Sequence, residues 1–485
     1  MSPGAILLII AAYFLILLVI SYITGRKADN AAFFLGNRKS PWYVVSFGMI
    51  GASLSGVTFI SVPGWVVDSQ FSYMQMVFGY LLGYAVIANV LMPLYYRLNL
   101  TSIYTYLESR FGFFSYKTGA AFFLLSRLIG AAVRLFLVAN VLQITIFNEW
   151  NVPFIATVII TVLLIWLYTN KGGIKTIIWT DSFQTLFMLV AVGLCVYFIS
   201  RSLNLDFRSL VNTVADHSLS QILFLDDWQD KRYFLKQFFS GAFITIVMTG
   251  LDQDMMQKNL SCKNINEAKK NMYWFSIILI PVNLLFMSLG VLLFIYAKSN
   301  GIALPEHTDD LFPIIATQGY LQPVVTILFI LGLIAAAYSS ADSALTSLTT
   351  SFTVDILNTK GLVENALKRI RKRVHILISV ILVIVILIFK AINDQSVIST
   401  IFTVAGYTYG PLLGLYSFGL FTKFKVKDKL VPWVALFSPV ICYILNIYSE
   451  TLLGGYRFGF ELLILNGLIT FTGLYLIKEK RQNKR

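Results

Sequence analysis

The chain has 485 residues, of which 57% are hydrophobic and only 13% are charged, and its formal net charge is +14. Its mean hydropathy is +0.74, and its apolar runs of about 18–25 residues match what a helix needs to cross the roughly 30 Å hydrocarbon core of a bilayer. Continuous apolar runs favour helices over the alternating pattern of barrel strands. The composition therefore predicts an all-α polytopic membrane protein and leaves no room for a large soluble domain.

Reading the apolar runs in order predicts about thirteen transmembrane helices, called spans 1 to 13 here. The predicted spans cover residues 4–24, 42–66, 74–96, 118–147, 152–169, 178–200, 235–256, 272–297, 322–354, 374–390, 398–421, 430–448 and 456–477. The connection 201–234 is long enough for a short helix or lid. The stretch 311–318 is apolar enough for a short outside helix but too short to span.

The net charge suggests nucleic-acid binding at first, but the distribution of the charges explains it without nucleic acid. The acidic residues gather in the loop 201–234, whereas the basic residues gather in loops on the other side. The basic set is Arg26, Lys27, Arg38, Lys39, Lys368, Arg369, Arg371, Lys372, Arg373, the stretch 423–429 and the tail 478–485. This asymmetry follows the positive-inside rule. It predicts an N-terminus outside and a cytoplasmic C-terminus.

The first span has no Lys or Arg before it, unlike a cleaved secretory signal, so we predict a retained helix. The cysteines Cys195, Cys262 and Cys442 fall in two spans and an inside loop, which argues against a disulfide framework.

Small residues concentrate in spans 2 and 9. They are Gly48, Gly51, Ala52, Ser53, Ser55, Gly56 and Gly64 in span 2, and Ala335, Ala336, Ala337, Ser339, Ser340, Ala341 and Ser343 in span 9. One interpretation is close helix packing in lipid, which small residues permit. The other is that the centre of span 2 is unwound, so that its free carbonyls coordinate a cation near the bilayer midplane.

Ionisable side chains inside a membrane are costly and usually functional. Asp342 shares a helical face with Ser339 and Ser343, which gives an oxygen set suited to Na⁺. Its alternative role is a buried ion pair with an arginine. Asp181 lies one turn into span 6, where it either reaches the inner headgroups or serves the interior.

Two arginines also lie within span 4. Arg134 falls near its middle, with Arg127 two turns earlier. A buried guanidinium must find an anion. Arg134 therefore either pairs with Asp181 or Asp342, or binds the carboxylate of a substrate through its planar donor fork. Asp252 and Asp254, near the inner end of span 7, are interpreted as interfacial.

The sequence lacks the signatures of an enzyme. The histidines His217, His307 and His375 fall in loops or at a helix end, which predicts no buried histidine for a proton relay. No His/Cys/Asp set has metal-site spacing, and there is no phosphate-binding Walker loop or serine nucleophile elbow. Transport would then be driven by an ion gradient.

Five motifs together resemble the sodium:solute symporter family, which includes the sodium-coupled sugar, proline, iodide and sialic acid transporters. They are Gly51-Ala52-Ser53-Leu54-Ser55 with Thr58-Phe59-Ile60, Gly172-Gly173-Ile174-Lys175 with Trp179-Thr180-Asp181 and Gln184, Gly250-Leu251-Asp252-Gln253-Asp254 with Gln257, Ala336-Ala337-Tyr338-Ser339-Ser340-Ala341-Asp342-Ser343, and Ala405-Gly406-Tyr407-Thr408-Tyr409-Gly410-Pro411.

The resemblance implies a LeuT-type core of two inverted five-helix repeats. These would be residues 42–200 (spans 2–6) and 235–422 (spans 7–11), joined by the outside loop 201–234. The segments 1–41 and 423–485 would be peripheral. The resemblance also implies a sodium site between spans 2 and 9, formed by the carbonyls of Gly51, Leu54 and Ala336 and the hydroxyls of Ser339 and Ser340. Some family members have a second sodium site, which here would use Asp181, Ser339, Asp342 and Ser343.

The resemblance further implies a substrate site. Ser53, Ser55 and Thr58 match substrate-side positions of the sialic acid transporters, Arg134 matches their carboxylate-binding arginine, and Gln75 is near another such position. Thr245 and Met248 stand where the sugar transporters have an asparagine and a tyrosine, which argues against a neutral sugar.

We therefore expect a sodium-coupled symporter, not an enzyme, that imports a small polar solute by alternating access. A carboxylated solute such as sialic acid or another organic acid is favoured, and a neutral sugar or amino acid is the alternative. A membrane sensor or channel is disfavoured because the chain lacks a signalling domain and a ring of pore charges. The expected partners are the solute and the lipid bilayer, without nucleic acid. The expected form is a monomer in a plasma membrane, of the bacterial inner type.

Overall fold

The computed structural model describes residues 3–26, 29–169, 173–359, 361–392 and 397–479. Lys27, Gly172 and the tail residues 480–485 lie outside the described residues. Within these ranges the chain is helical and has no β-strand, which confirms the predicted fold class. The helices are α1 (Pro3–Gly25), α2 (Asn30–Leu35), α3 (Trp42–Ser69), α4 (Tyr73–Val86), α5 (Met92–Arg97), α6 (Thr105–Arg110), α7 (Phe113–Leu142), α8 (Phe154–Thr169), α9 (Ile174–Ser202), α10 (Phe207–Ala215), α11 (Phe234–Thr245), α12 (Gln253–Leu260), α13 (Ile265–Ser299), α14 (Leu311–Thr317), α15 (Pro323–Ser351), α16 (Glu364–Ile392), α17 (Val397–Thr408), α18 (Gly410–Phe421), α19 (Val431–Ile447), α20 (Ser449–Leu452) and α21 (Leu462–Leu476).

Every predicted span overlaps at least one helix, although the last, 456–477, begins six residues before α21 and the seventh, 235–256, crosses the break between α11 and α12. Eight described helical segments are long and apolar enough to cross a membrane, or nine if the bent pair Phe234–Gly250 and Gln253–Leu260 is one span. One of them, Trp42–Arg97, contains both predicted spans 2 and 3. The helices α8, α18 and α21 are apolar but shorter. The number thirteen stays a prediction.

Two helical segments are broken, one in each of the predicted repeats. In α3 the backbone leaves the helical region at Ser55, and the α11–α12 pair bends by 65°. These helices begin the two repeats predicted at 42–200 and 235–422. Polar chemistry at breaks in the first helix of each repeat is the usual design of transporters with inverted repeats.

The centre of the molecule is α3, which packs against α9, α13 and α15. Small residues permit this packing: a Cβ atom added to Gly56 would lie 3.2 Å from the Cβ of Ala337 in α15. Almost all of α15 from Val325 to Ser351 is buried. Close packing and a broken helix therefore coexist in span 2.

The two short extra helices predicted on the outside are present. The connection 201–234 contains α10, and the stretch 311–318 contains α14, whose seven residues cannot cross a bilayer. The three cysteines are buried and not joined in disulfides.

Candidate functional site

A cavity of about 90 Å³ lies beside the breaks of α3 and the α11–α12 pair. It brings together side chains from α3, α4, α7, α11 and α13. Six of the seven residues that the sequence predicts for substrate binding line it, namely Ser53, Ser55, Thr58, Arg134, Thr245 and Met248. Residues that are up to 195 positions apart in the chain therefore converge on one small chamber.

The wall of the cavity includes a strained residue. Ser55 has φ 49° and ψ 171°, a region of backbone space that is almost restricted to glycine and costs about 1–3 kcal/mol for other residues. The sequence predicted an unwound centre but attributed it to glycines. The break falls instead on a serine, Ser55, which lines the cavity.

The two arginines of α7 differ in their pairing. Arg127 forms an ion pair with Asp254, which is fully buried. Arg134 also lines the cavity, yet in the part of the chain that the structure describes it forms no ion pair, and its Nε has no hydrogen-bond partner. The alternative that Arg134 pairs with Asp181 or Asp342 is therefore wrong for this conformation.

Sequence reasoning missed the rest of the cavity's polar wall. Tyr73, Tyr80 and Tyr84 line it from α4, and the hydroxyl groups of Tyr73 and Tyr80 are 3.0 Å apart. Their spacing of seven and four residues, which places them on one helical face, was the available signal. Asn283 of α13 lines it too, and its Oδ1 is buried without a partner among the described residues.

Gln75 does not line the cavity, contrary to expectation. Its Nε2 donates to the carbonyl of Arg232 at 2.8 Å, and its Oε1 accepts from the amide of Phe224 at 3.2 Å. The side chain therefore fastens the loop 201–234 to α4. The family position was matched with a shift of about two residues, which turns the side chain to another face of the helix.

The residues predicted to hold sodium lie on α3 and α15, and these two helices pack against each other along a seam. The last carbonyls of a helix need partners from outside it. Here the Oγ of Ser340 donates to the carbonyl of Ala52 at 3.2 Å, just before the break at Ser55. The neutral carbonyl and hydroxyl oxygens of this seam are suited to a weakly held Na⁺. The chemical type of these oxygens suits the predicted ion, and the five-residue sodium site stays a prediction.

A second contact ties the same part of α3 to α9. The amide of Gly51 donates to Oγ1 of Thr185 at 3.1 Å, and that hydroxyl donates to the carbonyl of Asp181 at 2.7 Å. The carboxylate of Asp181 then accepts from Ser339 at 2.9 Å. The predicted ligand Ser339 of α15 therefore contacts the buried carboxylate of α9.

Asp181 has a partner that the sequence analysis missed. The Nζ of Lys258, in α12, lies 2.6 Å from its Oδ2, and both side chains are buried. Asp181 therefore does not reach toward headgroups. With Lys258 on one oxygen and Ser339 on the other, its hydrogen-bonding oxygens are both occupied by protein groups.

The other two predicted ligands of a second sodium ion, Asp342 and Ser343, also contact protein groups. Asp342 accepts from the hydroxyl of Tyr168 at 2.9 Å, and Ser343 donates to Asp254. The other oxygen of Asp342, Oδ1, is buried without a partner among the described residues. The second sodium site stays a prediction. The interpretation of Asp252 and Asp254 as interfacial is wrong, because both are fully buried. Asp252 caps the start of α12 and accepts from Tyr409 at 2.5 Å.

The model of the sodium:solute symporter family matches residues 33–428 of this chain. The chain belongs to the sodium:solute symporter family. It is therefore a sodium-coupled transporter of the membrane, and not an enzyme, as the motifs predicted.

Similar proteins and structures agree with this membership. The chain is 26% identical over 423 residues to the sodium/sialic acid symporter NanT of Aliivibrio fischeri, covering 83% of this chain and 80% of NanT. It is 26% identical to the sodium/sialic acid symporter SiaT of Proteus mirabilis, covering 84% and 82%. A substrate-bound, outward-open structure of a Na⁺-coupled sialic acid symporter superposes with a TM-score of 0.81 at 20% identity, over 97% of both chains. That likeness shows the LeuT-type fold of this symporter.

The sequence analysis predicted no buried histidine, and that prediction is wrong for this symporter. His375 was placed at a helix end, but it is 2% exposed. Its two ring nitrogens contact Thr169 at 3.1 Å and Thr349 at 2.8 Å. Because α8 and α15 both pack there, the first turns of α16 are already inside the bundle. The contacts tie three helices together, away from the cavity.

Proposed function

We propose that this symporter imports a carboxylated, hydroxyl-rich solute, with sialic acid as the leading candidate, together with Na⁺. The observation that carries this proposal is Arg134: a buried guanidinium with no counter-ion in the described structure, beside a cavity lined by hydroxyl groups. A buried cation without an anion is costly. A solute carboxylate would supply the anion, and the relatives NanT and SiaT carry a solute of that class.

The hydroxyl-rich wall supports the same class of solute. Ser53, Ser55 and Thr58 approach from α3, and Tyr80 and Tyr84 from α4. Each can donate or accept a hydrogen bond. A polyhydroxylated acid would satisfy both the cation and these groups, whereas a small apolar acid would leave the hydroxyls unpaired at a cost in free energy.

The sodium ion would be held by Gly51, Leu54, Ala336, Ser339 and Ser340, and its charge would link the two helices that the Ser340–Ala52 bond now joins. Ser55 lies between this seam and the cavity, so ordering the seam also orders the solute-facing backbone. This geometry supports coupling between the two ligands. If bound sodium raises the affinity for the solute, bound solute must raise the affinity for sodium by the same factor.

We further propose that one Na⁺ is coupled per cycle. Lys258 holds Asp181 at 2.6 Å, so a fixed ammonium group stands where a second ion would need that carboxylate. The distribution of basic residues supports a multi-pass chain with the N-terminus outside and the C-terminus in the cytoplasm. The paired helix breaks support inverted repeats at 42–200 and 235–422.

The test is uptake of radiolabelled N-acetylneuraminate by proteoliposomes that contain the full chain, with an inward gradient of Na⁺ or of K⁺. Uptake should require Na⁺ and should be competed by carboxylated sugars but not by their amides. Arg134→Gln should weaken the apparent affinity roughly ten- to a hundredfold, as expected for a lost charged hydrogen bond.

The matched control is Arg201→Gln, which removes an exposed guanidinium at the end of α9. It should leave uptake unchanged. If neutral sugars or amino acids compete as well as acids, or if Arg134→Gln binds N-acetylneuraminate normally, the solute is not recognised through its carboxylate.

A further inference from the structure

A groove on the outer surface of the helix bundle lies between α8 and α16, away from the transport cavity. Its volume is about 500 Å³. It is lined by Ile159, Val162, Leu163 and Trp166 of α8 and by Ile376, Ser379, Val380, Val383 and Ile384 of α16. Its only hydroxyl group, that of Ser379, donates to the carbonyl of His375 in its own helix. The groove is therefore apolar.

Two contacts keep the walls of the groove in place. At the inner end, Thr169 of α8 meets His375 of α16 at 3.1 Å. At the outer end, Nζ of Lys390 lies 3.8 Å from the centre of the Phe154 ring. Between these contacts the facing side chains remain about half exposed, for example Leu163 at 51% and Val380 at 52%. The two helices are held together at both ends but leave the groove open to the membrane.

The groove continues into a row of positive charges. Arg369, Lys372 and Arg373 follow the spacing of three and four residues that places them on the face of α16 that bears Ile376 and Val380. All three are exposed. None of them pairs with a carboxylate in the part of the chain that the structure describes. Their neighbour Arg371 is used differently, since it turns inward to Asn30 and stacks on Phe33 at 4.0 Å.

We propose that this groove binds one anionic phospholipid of the inner leaflet, with the phosphate on Arg369, Lys372 and Arg373 and an acyl chain along α16. The length fits: Ile376 to Ile384 is eight helical steps, about 12 Å, close to the roughly 15 Å of one leaflet's hydrocarbon. Basic clusters at the cytoplasmic surface attract anionic headgroups.

The positive charge of Arg369, Lys372 and Arg373 also argues against a second copy of this chain as the occupant of the groove. A second copy of this chain bound through the same face would place the three cations of one copy near those of the other. An anionic lipid neutralises them instead. The proposal does not depend on which solute the transporter carries.

The test is native mass spectrometry of the full chain in a mild detergent, titrated with dioleoyl phosphatidylglycerol, dioleoyl phosphatidylcholine or inorganic phosphate. The native chain should retain phosphatidylglycerol at least about tenfold better than phosphatidylcholine. The triple variant Arg369→Gln/Lys372→Gln/Arg373→Gln should lose that preference, since each cation near the surface contributes roughly fivefold.

The control is Lys423→Gln/Lys425→Gln/Lys427→Gln, which removes three exposed charges from the same side of the membrane away from the groove. It should keep the preference. Val380→Trp should fill the groove and lose lipid retention with all charges present. Equal losses in both triple variants, normal retention by Val380→Trp, or displacement of the lipid by equimolar inorganic phosphate would each overturn the proposal.

Discussion

The Nζ atom of Lys258 lies 2.6 Å from Oδ2 of Asp181, and the two side chains are buried together in the bundle. Lys258 is on α12, and Asp181 is on α9, 77 positions earlier. Removing one member of a buried ion pair leaves an unpaired charge and costs about 3–5 kcal/mol. The pair therefore fixes α12 against α9 and gives Asp181 a permanent cation.

We predict that Lys258→Met makes transport depend on a second sodium ion. The carboxylate of Asp181 would be left without a counter-charge, so a mobile cation would have to replace the ammonium group. The sodium dependence of uptake should change from a Hill coefficient of about 1 to a value approaching 2, and the melting temperature without sodium should fall.

The control is Asp181→Asn/Lys258→Met, which removes both charges at once. It should recover most of the melting temperature and show a Hill coefficient of about 1. An unchanged Hill coefficient in a folded Lys258→Met variant would show that Lys258 does not substitute for an ion.

The hydroxyl group of Ser340 should determine the sodium requirement. Ser340→Ala removes its bond to the carbonyl of Ala52 and one predicted ligand. The sodium concentration for half-maximal uptake should rise roughly three- to tenfold, the usual effect of one lost hydrogen bond. Ser347→Ala is the matched control, because Ser347 is equally buried in α15 but donates to Ala344 of its own helix. Similar sodium curves for both variants would remove Ser340 from the site.

Gly51 should tolerate no side chain. A Cβ atom added there would lie 2.2 Å from Oγ1 of Thr185, which is held by its bonds to Gly51 and Asp181. Gly51→Ala should therefore abolish sodium-driven uptake and destabilise the protein by about 1–3 kcal/mol. Gly193→Ala, at a position of α9 with nothing within 4 Å, should be harmless. Adding Thr185→Ala to Gly51→Ala should restore thermal stability, and failure of that rescue would refute the steric explanation.

The spans, the family and most of the cavity could be predicted because they depend on local signals. Apolar length identifies a membrane helix, and the motif around Ser339 and Ser340 is contiguous in the chain. Arg134 was noticed because a charge within an apolar run stands out. Whether Arg134 forms an ion pair, in contrast, depends on the positions of all the other buried charges in the fold.

Lys258 was missed for that reason. It follows the apolar part of span 7 in a polar stretch, and in sequence it resembles any loop lysine. Only the 65° bend between α11 and α12 turns it into the bundle. The prediction for His375 was wrong for a similar reason. The basic residues around it in the sequence indicated a helix end at the lipid headgroups. Burial of both residues depends on packing between distant helices, which no window of sequence contains.

The predicted topology can be checked by thiol labelling, since the native cysteines are buried. Ser209→Cys lies in α10 of the loop predicted outside, and Lys427→Cys in the loop predicted inside. A membrane-impermeant maleimide should label Ser209→Cys on intact cells and Lys427→Cys only after permeabilisation. The reversed pattern would invert the orientation.

Asn283 should recognise the solute rather than stabilise the helix. Its Nδ2 donates to Leu279 at 2.7 Å, while its Oδ1 is buried at the cavity without a partner among the described residues. A solute hydroxyl or amide would satisfy that oxygen, so Asn283→Ala should raise the KM for N-acetylneuraminate roughly three- to tenfold. The melting temperature without solute should hardly change, because no bond to another helix is lost. Asn300→Ala is the matched control, since Asn300 makes the same type of bond, to Tyr296, at the end of the same helix and outside the cavity. An equal effect of both substitutions on KM would assign Asn283 to helix structure alone.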